Sequence, residues 1–138
     1  MLLMPKRVKY RKAQKGKVRG IALRGYRLIF GEFGLKALDN GLIKASQLEA
    51  CRVVIARKLS GAGKLWINVF PNKPVTKKPA ETRMGKGKGD LDHWVCQIKR
   101  GRMIFELGGI PEDFARQIFR LVAFKLPIKT RFVKRLGY

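Results

Sequence analysis

Histidine, cysteine and acidic residues are all scarce in this chain of 138 residues, and each scarcity excludes a class of function. His93 is the single histidine, which leaves too few imidazoles for most zinc sites and for general acid–base catalysis. Cys51 and Cys96 lie far apart without CxxC spacing. We therefore interpret them as small buried hydrophobic residues in a reducing compartment, with neither a disulfide framework nor a zinc site.

Long hydrophobic runs are also lacking. No apolar stretch approaches the roughly 18 residues of a membrane span, and the start MLLMPKR has no sustained apolar region of the kind a signal peptide needs. We expect no cofactor and no membrane partner. The expected location is the cytoplasm, or an organelle that makes the protein itself.

The shortage of acidic residues leaves 32 lysines and arginines against 9 aspartates and glutamates, a net charge of +23. Hydrophobic residues make up 46% of the chain, which is normal for a globular protein and excludes a simple disordered polycation. A charge of this size requires a polyanion nearby, and nucleic acid is the main candidate. An anionic membrane surface is the alternative, but it needs a basic amphipathic helix, whereas the two helices predicted below have apolar faces better suited to a core.

Basic residues are concentrated at both ends of the chain. The first thirty residues contain ten cations and no acid before Glu32, and seven cations follow Asp113 without any acid. Residues 1–25 lack apolar periodicity, so we predict a basic N-terminal arm that enters folded RNA; the alternative is a solvated tail. Tyr10 lies among these cations with no core to join, which makes it a candidate for stacking on bases.

The segment TRMGKGKG, residues 82–89, is the most informative motif. Its glycines disfavour a helix and add nothing to a core, so the segment is predicted to be a loop. Arg83, Lys86 and Lys88 lie between these glycines with no acidic residue. Bare backbone N–H groups beside three cations can approach phosphates closely.

Other chemistries fit less well. GAGKLW at 61–66 has the lysine of a P-loop but no following hydroxyl residue and no following helix. Asp90, Asp92 and His93 could hold a nuclease metal, but a turn entering a strand is the simpler interpretation. Trp66 and Trp94 could stack on bases, yet each lies in an apolar strand, which favours a half-buried core position. Catalysis by this chain is not expected.

The periodicity predicts an α+β fold, in which two helices pack on a mixed sheet. Strands are predicted at Tyr26–Phe30, Phe33–Leu38, Lys64–Phe70, His93–Lys99, Met103–Leu107 and Ile128–Val133. One helix is predicted to open with a capping box at Ser46 and Glu49, and another to begin at Pro111. Helical spacing predicts a buried apolar face on each: Leu48, Cys51, Val54, Ile55 and Leu59 on the first, and Phe114, Ile118, Leu121, Val122 and Leu126 on the second. Residues 26–138 are predicted to form one domain with a protruding loop over 71–92, because prolines at 71, 74 and 79 are expected to keep that stretch out of ladders.

Seven stretches, which together span nearly the whole chain, carry a resemblance: PKRVKYRKAQKGKVRG (5–20), FGEFGLKAL (30–38), SQLEACR (46–52), GKLWINVFPNKPVTKKPAETRMGKGKG (63–89), HWV (93–95), GRMIFELGGIPE (101–112) and KLPIKTRFV (125–133). In this order they resemble the large-subunit ribosomal protein L-sixteen family. The chain departs from the family at Ser60, Gly61 and Asn68, where basic residues are common.

The resemblance implies a two-layer, α/β-hammerhead-like fold. It also implies a position against large-subunit rRNA, beside the aminoacyl-tRNA site and near the peptidyl transferase centre. It implies no cofactor or homo-oligomer, and partners that are large-subunit rRNA, aminoacyl-site tRNA and neighbouring large-subunit proteins. The arm residues implied to bind rRNA are Lys6, Arg7, Lys9, Tyr10, Arg11, Lys12, Lys15, Lys17 and Arg19. The loop residues implied to reach tRNA or nearby rRNA are Arg83, Met84, Gly85, Lys86, Gly87 and Lys88. The competing hypotheses are a free-standing basic RNA-processing enzyme and a DNA-compacting protein.

Overall fold

The computed structural model describes residues 4–5, 18–77 and 90–135, and it has the predicted α+β class. In chain order the elements are β1 (Phe33–Ala37), β2 (Gly41–Lys44), α1 (Ala45–Leu59), β3 (Lys64–Ile67), β4 (Lys73–Lys77), β5 (Asp90–Ile98), β6 (Met103–Gly108), α2 (Glu112–Ala123) and β7 (Thr130–Lys134).

The strands form two sheets in which every described strand pair is antiparallel. One sheet has four strands in the order β3-β6-β1-β7, and the other has three in the order β2-β5-β4. A bulge between Leu35 and Lys36 shifts the β1–β6 register, so that Leu35 faces Phe105 while Lys36 faces Met103. The bulge leaves Ile104 in the hydrophobic core while Met103 lies outside that cluster.

The hydrophobic core lies between the helices and the sheets. α1 buries Leu48, Cys51, Ile55 and Leu59 along one face, and α2 buries Ala115, Ile118, Phe119 and Val122. These side chains meet the apolar face of the four-stranded sheet, which includes Leu35, Phe105 and Leu107. Helical spacing on one side and strand alternation on the other thus supply two matching apolar surfaces.

The opposite face of the four-stranded sheet is covered by irregular chain. Residues 26–31 precede β1 and lie over Gly34, Trp66 and Glu106, whose register places them together on this face. Gly34 makes the approach possible, because a Cβ there would lie 2.5 Å from the Leu28 side chain. β6 is therefore buried along its whole length, with helices on one face and this segment on the other.

Several predicted elements need correction. Tyr26–Phe30 is not a strand; its backbone N–H groups bond a side chain instead of a ladder. The first helix begins at Ala45 instead of opening with a Ser46–Glu49 capping box, and Gln47 accepts a hydrogen bond from the Lys44 N–H at 2.9 Å. The predicted strand Lys64–Phe70 ends at Ile67, and the strand β2 was missed.

The prolines in the predicted loop do not exclude a ladder. β4 contains Pro74 and pairs with β5, and it lies at the edge of its sheet, where a missing N–H donor is tolerated. Strand structure therefore occupies 73–77 and 90–92 at the two ends of the predicted loop 71–92. Residues 78–89 lie outside the described part of the chain. The proposed domain boundaries remain a prediction.

Candidate nucleic-acid interface

A basic groove of about 910 Å³ lies where the N-terminal segment passes the end of β3 and the end of β5. Its cationic lining consists of Arg19, Arg24, Lys99 and Arg102, which we call the groove cations. Backbone bonds fix this meeting point: the Ala22 N–H donates to the Arg100 carbonyl at 2.8 Å, and the Met103 N–H donates to the Gly25 carbonyl at 2.7 Å. The groove is therefore a product of long-range pairing.

None of the described residues that line the groove is acidic. The described ion pairs are made elsewhere, by Glu49 with Arg52 and by Glu112 with Arg116 and Lys134. Asp92 contacts His93 on β5. Cations without carboxylate neighbours keep their full attraction for phosphate, so the groove has the electrostatic character expected of a nucleic-acid contact.

Arg102 both lines this groove and links two of the segments that form it. One guanidinium nitrogen donates to the Asn68 carbonyl at 2.7 Å and another to the Arg24 carbonyl at 3.3 Å. It thereby joins the chain after β3 to the N-terminal segment, and the described acceptors of its guanidinium are both backbone carbonyls. A cation held in this way is pre-organised, since it loses little further side-chain freedom when it meets a phosphate.

Exposed apolar side chains border the cations. Leu23 is 86% exposed, Ile21 60% and Phe70 49%. Leu23 and Phe70 line the groove itself. Apolar and aromatic groups beside phosphate-binding cations can contact bases or sugars, so the groove combines the two kinds of surface that RNA recognition uses.

The segment that carries Arg24 and Arg27 is held on the sheet by a buried carboxylate. Glu106 on β6 has no exposed surface. Its Oε1 accepts hydrogen bonds from the backbone N–H groups of Ile29, Phe30 and Gly31, at 2.9, 3.0 and 3.1 Å. Its Oε2 accepts from the Asn68 side-chain amide. Three successive N–H groups directed at one oxygen form an anion-binding nest, and Glu106 fills it from within the protein.

Burial by itself raises the pKa of Glu106. The hydrogen bonds from Asn68 and from the three backbone N–H groups outweigh burial and hold that pKa below its usual value. The carboxylate is therefore ionised at neutral pH, and its bonds to the segment are charge-assisted.

Arg135 holds the same segment by donating hydrogen bonds to the carbonyl groups of the segment. Its guanidinium donates to the Ile29 carbonyl at 3.2 Å and to the Gly31 carbonyl at 3.1 Å. Its backbone N–H donates to the Glu32 carbonyl at 2.8 Å. We call Glu106, Asn68 and Arg135 the clamp. It satisfies backbone groups that a strand ladder would otherwise have paired.

The aromatic side chains are divided between core and surface. Trp94 is buried, as the core interpretation predicted. Trp66 is half-buried and stacks on Phe30, with ring centroids 5.9 Å apart. Arg27 lies over the Tyr26 ring at 5.1 Å. Phe30 and Tyr26 remain well exposed, so they add aromatic surface on the clamped side of the sheet.

The cysteines are buried, as predicted. Burial raises the pKa of Cys51 and that of Cys96 to about 11 each, which keeps both thiols protonated. Within the described ranges, no cluster of three or more histidine, cysteine and carboxylate side chains could hold a metal ion.

Of the predicted RNA-binding residues, only Arg19 lies in the described part of the chain, where it is exposed in the groove. Lys6, Arg7, Lys9, Tyr10, Arg11, Lys12, Lys15 and Lys17 lie outside it, as does the loop from Arg83 to Lys88. Their assignments remain predictions.

Sequence reasoning missed Asn68, Lys99, Arg102, Glu106 and Arg135. Glu106 gave a signal that could have been used: it is a single acid inside the apolar strand MIFELG, in a chain with very few acids. Lys99 and Arg102 flank a turn, and only the fold brings them beside Arg24.

Comparison with known proteins agrees with the resemblance. The family model described as ribosomal protein L16p/L10e matches residues 5–133. The chain belongs to this family. It is 54% identical over 134 residues to "Large ribosomal subunit protein uL16" from two strains of Leptospira biflexa serovar Patoc, covering 97% of this chain and 98% of each relative.

Family membership makes this chain a structural ribosomal protein and not an enzyme. The groove is consistent with that role, since its described lining carries cations and apolar side chains. In the described ranges, no helix has the length and apolar character to cross a membrane.

Proposed function

We propose that this ribosomal protein is a structural constituent of the large subunit that binds large-subunit rRNA and helps to shape the aminoacyl-tRNA site near the peptidyl transferase centre. In this proposal the N-terminal arm and the groove cations neutralise rRNA phosphates. The loop over residues 82–89 contacts tRNA or the rRNA beside it. Neighbouring large-subunit proteins are its other partners, and the ribosome in the cytoplasm or an organelle is its location.

The observation that carries the proposal is the groove, whose described lining has four cations and no carboxylate. Folded RNA brings phosphates close together, and a protein between them needs cations without competing carboxylates. Arg19, Arg24, Lys99 and Arg102 meet that need although they come from two distant parts of the chain. Relatives 54% identical over almost the full length are named as large-subunit proteins, which supports the same assignment.

Sedimentation tests the assignment to the large subunit. The tagged chain, expressed in its source organism, should co-sediment with the large subunit and remain there through a moderate salt wash. A free-standing RNA-processing enzyme would be released into the supernatant, and this result would contradict the proposal. A DNA-compacting protein would instead bind duplex DNA as tightly as large-subunit rRNA.

Paired substitutions test the groove. Arg24→Gln with Lys99→Gln removes two groove cations and leaves Arg102 and its carbonyl bonds in place. Binding to a large-subunit rRNA transcript should weaken, and the log–log salt slope should become shallower by about 0.7–0.9 for each phosphate that is no longer neutralised. Arg57→Gln with Arg120→Gln is the control, because it removes the same charge from the exposed surfaces of α1 and α2. Equal effects of the two pairs would show that only net charge matters.

The loop requires a separate experiment. Changing Arg83, Lys86 and Lys88 together to alanine should leave folding and subunit entry intact while aminoacyl-site tRNA binding weakens and peptide-bond formation slows. Hydrogen bonds to charged groups contribute about 1.5–3 kcal/mol each when desolvated. The control changes Arg57, Lys58 and Arg120 to alanine. If subunits carrying the loop variant bind tRNA and translate normally, the loop has no role at the tRNA site.

A further inference from the structure

Residues 28–31 lie on the sheet through the side chains of Leu28 and Phe30, and their backbone is fixed there by polar bonds to side chains. Three N–H groups bond Glu106, and the carbonyls of Ile29 and Gly31 bond Arg135. These side chains come from β6 and from the residue after β7, so the segment before β1 and the chain after β7 meet at this point. The segment immediately before it carries Arg19, Arg24 and Arg27, which are all exposed.

A carboxylate is a costly group to bury in this position. Glu106 has no exposed surface, and removing an ion from water carries a penalty that only well-formed hydrogen bonds offset. An apolar side chain would bury more cheaply against the sheet, but it could not bond the N–H groups of a segment that has no ladder partner. A carboxylate therefore suits this position, because the side chain here has to accept the backbone N–H groups of Ile29, Phe30 and Gly31.

From these contacts we infer that Glu106 is a positioning residue for RNA binding, which acts with Arg135 to fix the path of residues 28–31 and thereby the direction in which Arg24 and Arg27 are presented. The inference rests on the proposed function. Glu106 does not touch RNA in this view: it is buried, and its charge opposes that of a phosphate. Its effect is to limit the conformations of the cations, so that less freedom is lost on binding.

The substitution Glu106→Gln separates positioning from electrostatics because the two act in opposite directions. Glutamine keeps nearly the same shape but removes a negative charge, which raises the net charge and favours any polyanion. If Glu106 positions the segment, specific binding should weaken despite this gain, since neutral hydrogen bonds are roughly half as strong as charge-assisted ones. Glu32→Gln is the matched control: it makes the same charge change at an exposed carboxylate outside the clamp.

The full-length chain and both variants are titrated against a large-subunit rRNA transcript and against poly(U). We expect Glu106→Gln to bind the transcript about fivefold or more weakly than Glu32→Gln, the lower end of coupling between linked sites. Binding to poly(U) should be equal in the two variants. Amide hydrogen exchange at Ile29, Phe30 and Gly31 should accelerate in Glu106→Gln only, while core amides of β6 stay protected.

A second pair of variants covers the case in which Glu106→Gln does not fold. Arg135→Met removes the guanidinium bonds to Ile29 and Gly31, and Arg131→Met removes one exposed cation from the same end of the chain. Only Arg135→Met should accelerate amide exchange at the clamped segment. It should also bind the transcript more weakly than Arg131→Met, although both variants lose one positive charge.

Equal transcript affinity for Glu106→Gln and Glu32→Gln, or for Arg135→Met and Arg131→Met, would overturn the inference. If the wild type binds the transcript no better than poly(U), the proposed function fails, and the positioning role fails with it. If the wild type prefers the transcript and the clamp variants keep that preference, only the positioning role fails.

Discussion

At β6, the two faces of the four-stranded sheet are both buried, but by opposite means. On the helix side, Phe105 and Leu107 pack against apolar side chains of α1 and α2. On the other side, a cationic segment without regular structure is bonded to Glu106 and Arg135. The helix side can rely on apolar area because its partners are amphipathic helices. The segment before β1 has exposed arginines and no strand partner, so directed hydrogen bonds to side chains fix its backbone.

The comparison predicts that the helix side contributes more to stability. Phe105→Ala leaves a cavity in the centre of the core, and we expect the free energy of unfolding to fall by about 3–5 kcal/mol. Chemical denaturation measures this change. A loss below about 1 kcal/mol would show that the core relaxes around the cavity and that the two faces are less different than proposed.

A smaller effect is expected from crowding the clamped side. A Cβ on Gly31 would lie 2.5 Å from the Leu107 carbonyl oxygen and 3.1 Å from the Trp66 ring. Gly31→Ala should therefore displace the segment and lower the free energy of unfolding by about 1–3 kcal/mol, as overpacking does. Hydrogen exchange should show local opening at residues 29–31. Unchanged stability together with unchanged exchange would mean that the segment is not pressed against β6.

The pH dependence of the clamp gives a third test. The pKa of Glu106 is lower in the folded protein than its ordinary value of 4.5, so the unfolded chain binds the proton more readily. The stability due to its ionised form is complete above the unfolded pKa and is lost as the pH falls through the folded pKa. The wild type should be more stable than Glu106→Gln near pH 7, and the difference should shrink below about pH 4.5. A difference independent of pH from 7 to 3 would contradict an ionised Glu106.

The smallest effect on stability should come from the N-terminal arm. Removing residues 1–17 leaves the clamp and all of the identified core intact, so the free energy of unfolding should change by about 0.5 kcal/mol or less. Affinity for large-subunit rRNA should nevertheless fall, and its salt slope should become shallower. A truncated chain that does not fold would show that the arm belongs to the core.

The helices and most strands could be predicted because their signals are local. Apolar spacing located both helices, and the buried set in α1 includes four of the five predicted positions, Val54 being only half-buried. In α2 the prediction was less accurate: Leu121 is 41% exposed, while Ala115 and Phe119 are buried instead. The spacing of apolar residues identifies the buried face of a helix, but the elements packed against that face decide which residues at its edges are covered.

By itself, the sequence determined the basic character of the protein, its α+β class and its family. These properties follow from counts and short-range patterns that no packing can change. Only the tertiary structure decided that Tyr26–Phe30 is not a strand, that Pro74 lies in an edge strand, and that Glu106 is buried. Each depends on a partner distant in the chain, 75–77 residues away for the bonds of Glu106. A hydrogen-bonding group has no preferred partner until the fold brings one within reach.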